Sequence, residues 1–159
     1  MIQAVILAVG REILRGRIQD SNSFTLARRL TGIGYELIRT VACDDDPIAI
    51  TREIRRAVED GAALVITTGG LGPTDDDMTL LALAEATGRP LVLDEEARRL
   101  VASRYAALSQ AGVVEDPSMI PSREKMARIP RGANALPNPV GAAPGAVSYT
   151  HLRAHETGR

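Results

Sequence analysis

The sequence is poor in the residues that usually act as nucleophile and base, since it has one cysteine and two histidines. The single cysteine, Cys43, excludes an intramolecular disulfide and predicts a reducing, cytoplasmic setting. Outside the last nine residues there is no histidine, so the folded part has no Ser/His/Asp triad and no histidine base for Cys43. We therefore interpret Cys43 as a small buried residue or a loop residue. His151 and His155 are four apart, but no third metal ligand accompanies them, and we interpret the spacing as chance.

Long apolar runs and an excess of one charge are also missing. None of the apolar runs approaches the roughly 18 residues of a membrane span. Nineteen basic and 20 acidic residues leave a net charge of -1, so neither nucleic acid nor a membrane surface is expected as a partner. The opening MIQAVILAVG lacks the basic segment of a signal peptide and predicts a strand instead. A length of 159 residues suits one domain with a sizeable core.

Apolar strands alternate with amphipathic helices along the first half of the chain. This order predicts an α/β fold, a three-layer arrangement in which a mostly parallel sheet carries helices on both faces. The predicted strands are Ala4–Val9, Tyr35–Ala42 and Ala62–Thr67. Helix starts are indicated at Ser21 or Asn22, at Asp46-Pro47 and at Thr79, and helix ends at Gly34, Gly61 and Gly88.

The second half of the chain is less regular. It predicts a short strand at Leu91–Leu93, a helix capped by Asp94 and a short helix over Ser122–Ala127. The last twelve residues, SYTHLRAHETGR, show no apolar periodicity. We therefore predict a domain over residues 1–147 and a non-native or disordered tail over residues 148–159.

A glycine-rich turn, TTGGLGPTDDDMT, follows the third strand and precedes a helix. Glycines let backbone N–H groups approach an anion, and a helix N-terminus adds positive potential, so the turn favours a phosphate. The aspartates Asp75, Asp76 and Asp77 would repel that phosphate unless they point to water or hold a divalent cation such as Mg²⁺. A third possibility is that they cap the helix that follows.

Other loops are predicted at the same edge, because ligands of open α/β sheets bind outside the carboxyl ends of the strands. Glu12 follows the first strand and Asp44 the second, while a second glycine- and proline-rich turn occupies residues 136–145. We expect Glu12, Asp44 and Asp77 to converge there with the two glycine loops. Such a group suits a nucleotide or pterin phosphate together with a divalent metal.

Four motifs occur in a fixed order: AVG-x-E-I-L-x-G, D-x-N, TTGGLGPTxDDMT and LPNxxGxAPG. Over residues 1 to 147 this order resembles the N-terminal domain of the competence/damage-inducible protein A (CinA-type) family, within the wider MoaB/Mog molybdopterin-binding fold. The segment Leu71–Thr74 marks the CinA-type branch, and Asp77-Met78-Thr79 takes the place of the D-x-T of the adenylyltransferase branch. The family usually continues past APG into further elements that this sequence lacks.

The resemblance implies a three-layer α/β domain, often oligomeric, and a function of one of three kinds. The first is metal-dependent hydrolysis of a nucleotide pyrophosphate such as ADP-ribose, with Mg²⁺, Mn²⁺ or Co²⁺. The second is non-catalytic binding of molybdopterin, and the third is a molybdopterin adenylyltransferase-like role in molybdenum cofactor biosynthesis. The catalytic candidates it implies are Glu12, Asp44 and Asp77, and the metal ligands are Asp44, Asp76 and Asp77. The implied phosphate- or ligand-binding residues are Gly69, Gly70, Gly72, Thr74, Asn138, Gly141 and Gly145.

Overall fold

The computed structural model describes residues 1–149, which form two compact units, Met1–Gly70 and Leu71–Tyr149. His151, His155 and most of the predicted tail lie outside the described residues.

The first unit is a parallel sheet of three strands with helices packed against it, and the first strand of the chain lies between the second and the third. Every residue of the central strand from Ala4 to Val9 is buried, so both of its faces are covered. This confirms the predicted parallel α/β arrangement of the first half. The elements in chain order are β1 Ile2–Val9, α1 Arg11–Leu14, α2 Ser21–Gly32, β2 Tyr35–Cys43, α3 Pro47–Glu59 and β3 Leu64–Thr68.

Local side chains set the helix starts of this unit. Asp20 accepts a hydrogen bond from the Ser23 N–H at the start of α2, so the N-cap is Asp20 and not Ser21 or Asn22 as predicted. Asp46 caps α3 through the Ala49 N–H, ahead of a proline at the first helical position, as predicted. The loop expected after β1 contains the one-turn helix α1.

The second unit contains helices and two short antiparallel strand pairs. The predicted strand Leu91–Leu93 is confirmed, whereas its antiparallel partner and the second pair were not predicted. Its elements are α4 Thr79–Thr87, β4 Leu91–Leu93, α5 Glu95–Gln110, α6 Pro121–Lys125, β5 Arg128–Pro130, β6 Asn134–Leu136 and β7 Gly145–Val147. Its core residues are Leu80, Ala97, Val101, Met126, Ala127, Ile129 and Ala133.

The predicted helix ends in this unit are mostly confirmed. Gly88 ends α4 in the left-handed conformation with φ 64, and Asp94 caps α5 by accepting the Ala97 N–H. The N-cap of α4 is Met78, which makes no side-chain capping bond, so a capping role for Asp75 to Asp77 is wrong.

Within residues 1–149, no helix is long and apolar enough to cross a membrane.

The predicted boundary at residue 147 falls inside a bonded segment. Arg89 donates hydrogen bonds to the Ser148 hydroxyl at 3.1 Å and to the Tyr149 carbonyl at 2.7 Å. Ser148 and Tyr149 therefore have contacts with the second unit, although the sequence assigned them to an unpacked tail.

Candidate functional site

The strand ends of the first unit gather two of the predicted carboxylates. Val9 pairs with Cys43 in the sheet, so the loops after β1 and β2 leave it side by side. Arg11 joins the two loops, because its Nε lies 2.8 Å from Asp44 Oδ1 and its backbone N–H donates to Asp45 Oδ2 at 2.9 Å. Glu12 and Asp44 are therefore brought to one edge, as predicted.

Electrostatics keep Asp44 ionised. The hydrogen bond from Arg11 holds the pKa of this carboxyl below its usual range, and the N–H of Asp45 adds to the effect. The side chain is 40% exposed and therefore remains accessible to solvent. Any cation that used Asp44 as a ligand would compete with the Arg11 guanidinium for the same carboxylate.

Cys43 is buried at the end of β2 and is a free thiol. Burial raises its pKa to about 11, and the nearby carboxylates of Glu53, Asp45 and Asp44 contribute in the same direction. The reactive form of cysteine is the thiolate, so this environment disfavours nucleophilic chemistry. The prediction of a small buried residue is confirmed.

Backbone geometry explains the first two glycines of the turn that follows β3. Gly69 has φ 88, and a Cβ atom there would lie 2.1 Å from the Val9 carbonyl oxygen. Gly70 has φ 66, a conformation that a β-branched residue rarely adopts. The fold of the first unit thus requires glycine at position 69 independently of any ligand.

The rest of the turn, in the second unit, closes on Asp77. Asp77 Oδ2 accepts the Thr74 N–H at 2.9 Å and the Thr74 hydroxyl at 2.7 Å, while the Asp77 N–H donates to the Thr74 carbonyl at 3.1 Å. A Cβ at Gly72 would lie 2.6 Å from the same carboxylate oxygen, so glycine leaves the space that the carboxylate occupies. We call the segment Gly72–Asp77, with these bonds, the aspartate turn.

The aspartate turn stabilises the ionised form of Asp77. Burial by itself would raise the pKa of the half-buried Asp77, but hydrogen bonds from the Thr74 hydroxyl and from the N–H groups of Thr74 and Gly72 outweigh it. The positive charge of Lys125 acts in the same direction, and the net result is a lowered pKa. The neighbouring Asp75 and Asp76 are exposed.

Part of the predicted phosphate-binding turn is already bonded to a side chain of the protein itself, Asp77. The N–H groups of Gly72 and Thr74 donate to its carboxylate, which occupies the place that a ligand phosphate would need. A phosphate could reach these two amides only by displacing Asp77.

The second glycine-rich turn is organised by Asn138 in a similar way. Its Oδ1 accepts the N–H groups of Val140 at 3.1 Å and Gly141 at 3.0 Å, and its Nδ2 donates to the Ala143 carbonyl at 2.9 Å. A Cβ at Gly141 would lie 2.7 Å from Nδ2, so glycine is needed for this packing. At Gly145, by contrast, a Cβ would make only ordinary contact with Leu136.

Carboxylate oxygens are the ligands that Mg²⁺ and Mn²⁺ prefer, so Asp44, Asp76 and Asp77 have suitable chemistry. Within each unit as described, however, no three Asp, Glu, His or Cys side chains form a group that could hold a metal. A hard cation that is already bound to phosphate oxygens needs only one or two protein carboxylates. The carboxylates Asp44, Asp76 and Asp77 suit a cation bound in that way.

Sequence reasoning missed Lys125. Its ammonium donates a hydrogen bond to the Thr74 carbonyl, although the two residues are 51 positions apart. The signal in the sequence was its rarity, since Lys125 is the only lysine among the 19 basic residues.

The chain resembles several archaeal proteins along most of its length. The protein PH0439 of Pyrococcus horikoshii is 40% identical over 154 residues, which are 96% of this chain and 60% of that protein. A protein of Pyrobaculum arsenaticum is 44% identical over 142 residues, 89% of this chain and 51% of the relative. The chain thus spans about half to three fifths of the length of these relatives.

Solved structures give the same result for the fold. The protein CinA from Thermoplasma acidophilum matches with a TM-score of 0.80 and 37% identity, covering 91% of this chain and 80% of that one. The molybdopterin biosynthesis enzyme MoaB from Thermus thermophilus matches with a TM-score of 0.53 and 27% identity, over 65% of this chain and 64% of that one. A family model described as a probable molybdopterin binding domain matches residues 5–155. The chain therefore belongs to the MoaB/Mog-like family of molybdopterin-binding-fold domains, and within it to the CinA type.

Proposed function

We propose that this domain binds a nucleotide or pterin phosphate and that it hydrolyses a nucleotide pyrophosphate such as ADP-ribose with the help of a divalent metal. The observation that carries the proposal is the aspartate turn, where an ionised, half-buried carboxylate is held by three donors of its own turn. A carboxylate fixed and ionised in this way is suited to a cation that arrives with a pyrophosphate. The chain spans only part of the length of its relatives. The same hydrolytic activity is therefore proposed, not established, for the whole protein.

The proposed reaction breaks the bond between a phosphorus atom and the oxygen that bridges the two phosphates. Water attacks the phosphorus, and ADP-ribose is converted to AMP and ribose 5-phosphate. The metal, Mg²⁺, Mn²⁺ or Co²⁺, would polarise a phosphoryl oxygen and lower the pKa of its water. Asp77 and Asp44 are each a proposed ligand for such a metal, since hydrogen bonds lower the pKa of both carboxyls and keep them ionised.

Glu12 is our candidate for orienting the attacking water. Its carboxylate lies against Gly10, where an added Cβ would be 2.6 Å from Oε1, so the backbone leaves room for it at the end of β1. The proposed ligand-contacting positions remain Gly69, Gly70, Gly72, Thr74, Asn138, Gly141 and Gly145.

A second candidate function is binding of molybdopterin or a related phosphate without turnover. The observation that favours it is that the Gly72 and Thr74 amides already donate to Asp77. In addition, neither unit, as far as its residues are described, holds a group of three side chains placed to bind a metal. A molybdopterin adenylyltransferase-like activity is the third candidate, and the structural match to MoaB supports it.

One assay separates these candidates. The chain is incubated with ADP-ribose and Mg²⁺, Mn²⁺ or Co²⁺, and the AMP formed is measured, with ATP and molybdopterin tested separately for adenylyl transfer. We expect AMP from the wild type and a loss of roughly 10²-fold or more in Asp77→Asn, the usual order for lost electrostatic stabilisation.

Asp116→Asn is the matched control for this assay. Its carboxylate also accepts the N–H and hydroxyl of a nearby residue, Ser118, at 2.8 and 2.7 Å, but it lies outside the proposed site. AMP formation should therefore be unchanged in this variant. ADP-ribose binding without AMP would move the assignment to the binding module, and absence of both would exclude the first candidate.

A further inference from the structure

Lys125 stands apart from the other basic residues of the chain. Arginine occupies the other 18 basic positions, and the single lysine is the one that reaches the aspartate turn. A guanidinium is a wide planar fork, whereas an ammonium is a compact charge with three donors. A compact charge suits a single carbonyl oxygen such as that of Thr74, where a fork would need more room.

The fold anchors the backbone of Lys125 on both sides. Met126 and Ala127, which follow it, are buried in the core of the second unit at 1% and 0% exposure. Arg123, two residues earlier, stacks on the Tyr105 ring at 4.0 Å and donates to two carbonyls of the preceding loop. The ammonium is therefore delivered to the turn by a segment that is itself held in place.

At the turn, Lys125 joins a closed set of bonds. The Thr74 carbonyl accepts both the Lys125 ammonium and the Asp77 N–H, and Thr74 in return donates two hydrogen bonds to the Asp77 carboxylate. The turn carries three consecutive negative charges, which repel each other and any phosphate. A positive charge at its carbonyl offsets that repulsion.

We propose that Lys125 is a positioning residue of the ligand site, which acts through Thr74 and Asp77 to hold the aspartate turn in the conformation in which the Asp77 carboxylate meets the cation of a metal-bound anionic ligand. The inference rests on the proposed function for the identity of the ligand as a nucleotide pyrophosphate. The effect of Lys125 on the aspartate turn does not depend on which ligand binds.

The first test is hydrogen exchange in the wild type and in Lys125→Met, without ligand. Loss of the ammonium should speed exchange of the Thr74 and Asp77 amides by about 10-fold or more, because local opening becomes easier. The Ser118 amide, bonded in a separate turn, is the internal control and should not change. Arg128→Met, which removes an exposed positive charge three residues further on, is the matched variant and should leave the turn unchanged.

The second test is calorimetry with ADP-ribose and Mg²⁺. Lys125→Met should weaken binding by roughly 10-fold, while Arg128→Met should bind like the wild type. If the wild type does not bind ADP-ribose, the proposed function fails, and hydrogen exchange still decides the role of Lys125 in the turn. Equal affinity of the wild type and Lys125→Met overturns the inference even where the turn exchanges faster.

A third test needs no substitution at Lys125 and covers the case in which Lys125→Met does not fold. Reductive methylation with ¹³C-formaldehyde labels only two amines in this chain, that of Lys125 and the α-amine of Met1, and it preserves their charge. Addition of ADP-ribose and Mg²⁺, and separately the substitution Asp77→Asn, should shift the Lys125 methyl signal and leave the Met1 signal in place. A Lys125 signal that neither change moves overturns the inference.

Discussion

The Asp77 carboxylate accepts both the backbone N–H and the hydroxyl of Thr74, at 2.9 and 2.7 Å. These two hydrogen bonds close a turn for which the sequence left three roles open, namely phosphate binding, metal binding and helix capping. The structure excludes the cap, because α4 begins after Met78 without a side-chain bond. It also shows that Asp77 already has an internal role, which any ligand must accommodate.

The Asp77 carboxylate should make stability depend on acid pH. Its pKa in the folded chain is below the ordinary value of 3.8, so its contribution is fully present above that value and is lost as the pH falls through the lower, folded pKa. Asp77→Ala should cost about 1 to 2 kcal/mol at pH 7, towards the low end for hydrogen bonds to a charged group because solvent screens a half-buried carboxylate, and less near pH 2. Urea unfolding at both pH values measures this. The exposed Asp76→Ala is the control, and an equal cost for both variants would contradict the prediction.

Gly69→Ala should destabilise the chain far more than Gly34→Ala. Both glycines have positive φ, at 88 and 93, but only at Gly69 would the new Cβ meet the Val9 carbonyl, while nothing lies within 4 Å at Gly34. The backbone strain that both share costs about 1 to 3 kcal/mol, and the clash adds to it at Gly69 alone. Thermal unfolding of the two variants measures the difference. Equal shifts in Tm would show that the turn moves away from Val9 at little cost.

Cys43 should be unreactive in the folded chain. Its pKa of about 11 compares with an ordinary 9.0, so at pH 8 alkylation by iodoacetamide should be roughly 100-fold slower than in the urea-unfolded chain, because only the thiolate reacts. Mass spectrometry of timed samples gives both rates. Because the folded pKa is raised, the associated stability is present below pH 9 and is lost as the pH rises towards 11. Fast alkylation under native conditions would contradict the burial of this thiol.

We expect the end of the chain to contribute to stability only as far as Tyr149. Removal of residues 150–159 is expected to leave the Tm nearly unchanged, because their sequence shows no packing pattern. Removal of residues 148–159 also takes away the Ser148 hydroxyl and the Tyr149 carbonyl, both bonded to Arg89, at a cost of about 1 kcal/mol. Arg89→Ala should reproduce that additional loss. A drop of several degrees in the shorter deletion would show that residues 150–159 contribute to the fold.

The sequence by itself determined the parallel half of the fold. Continuous apolar runs, a proline at the first position of α3 and glycines at helix ends are local signals, and they predicted β1, α3, α4 and the Asp94 cap. It also indicated that the Glu12 and Asp44 loops leave the same edge, because parallel strands bring their carboxyl ends together. The motifs pointed to the family that the comparisons show.

Only the tertiary structure decided what the polar side chains of the candidate site do. Arg11 neutralises Asp44, and Lys125 reaches Thr74 from 51 residues away. Spacing along the chain cannot reveal such pairs, because they depend on loops that meet only after the core has packed. The same reason applies to the antiparallel pairing of β4 with β5 and of β6 with β7. The sequence predicted β4 but not its partner, because strands of three residues are too short to show a period. Their pairing, like the bonds of the aspartate turn, follows from contacts and not from pattern.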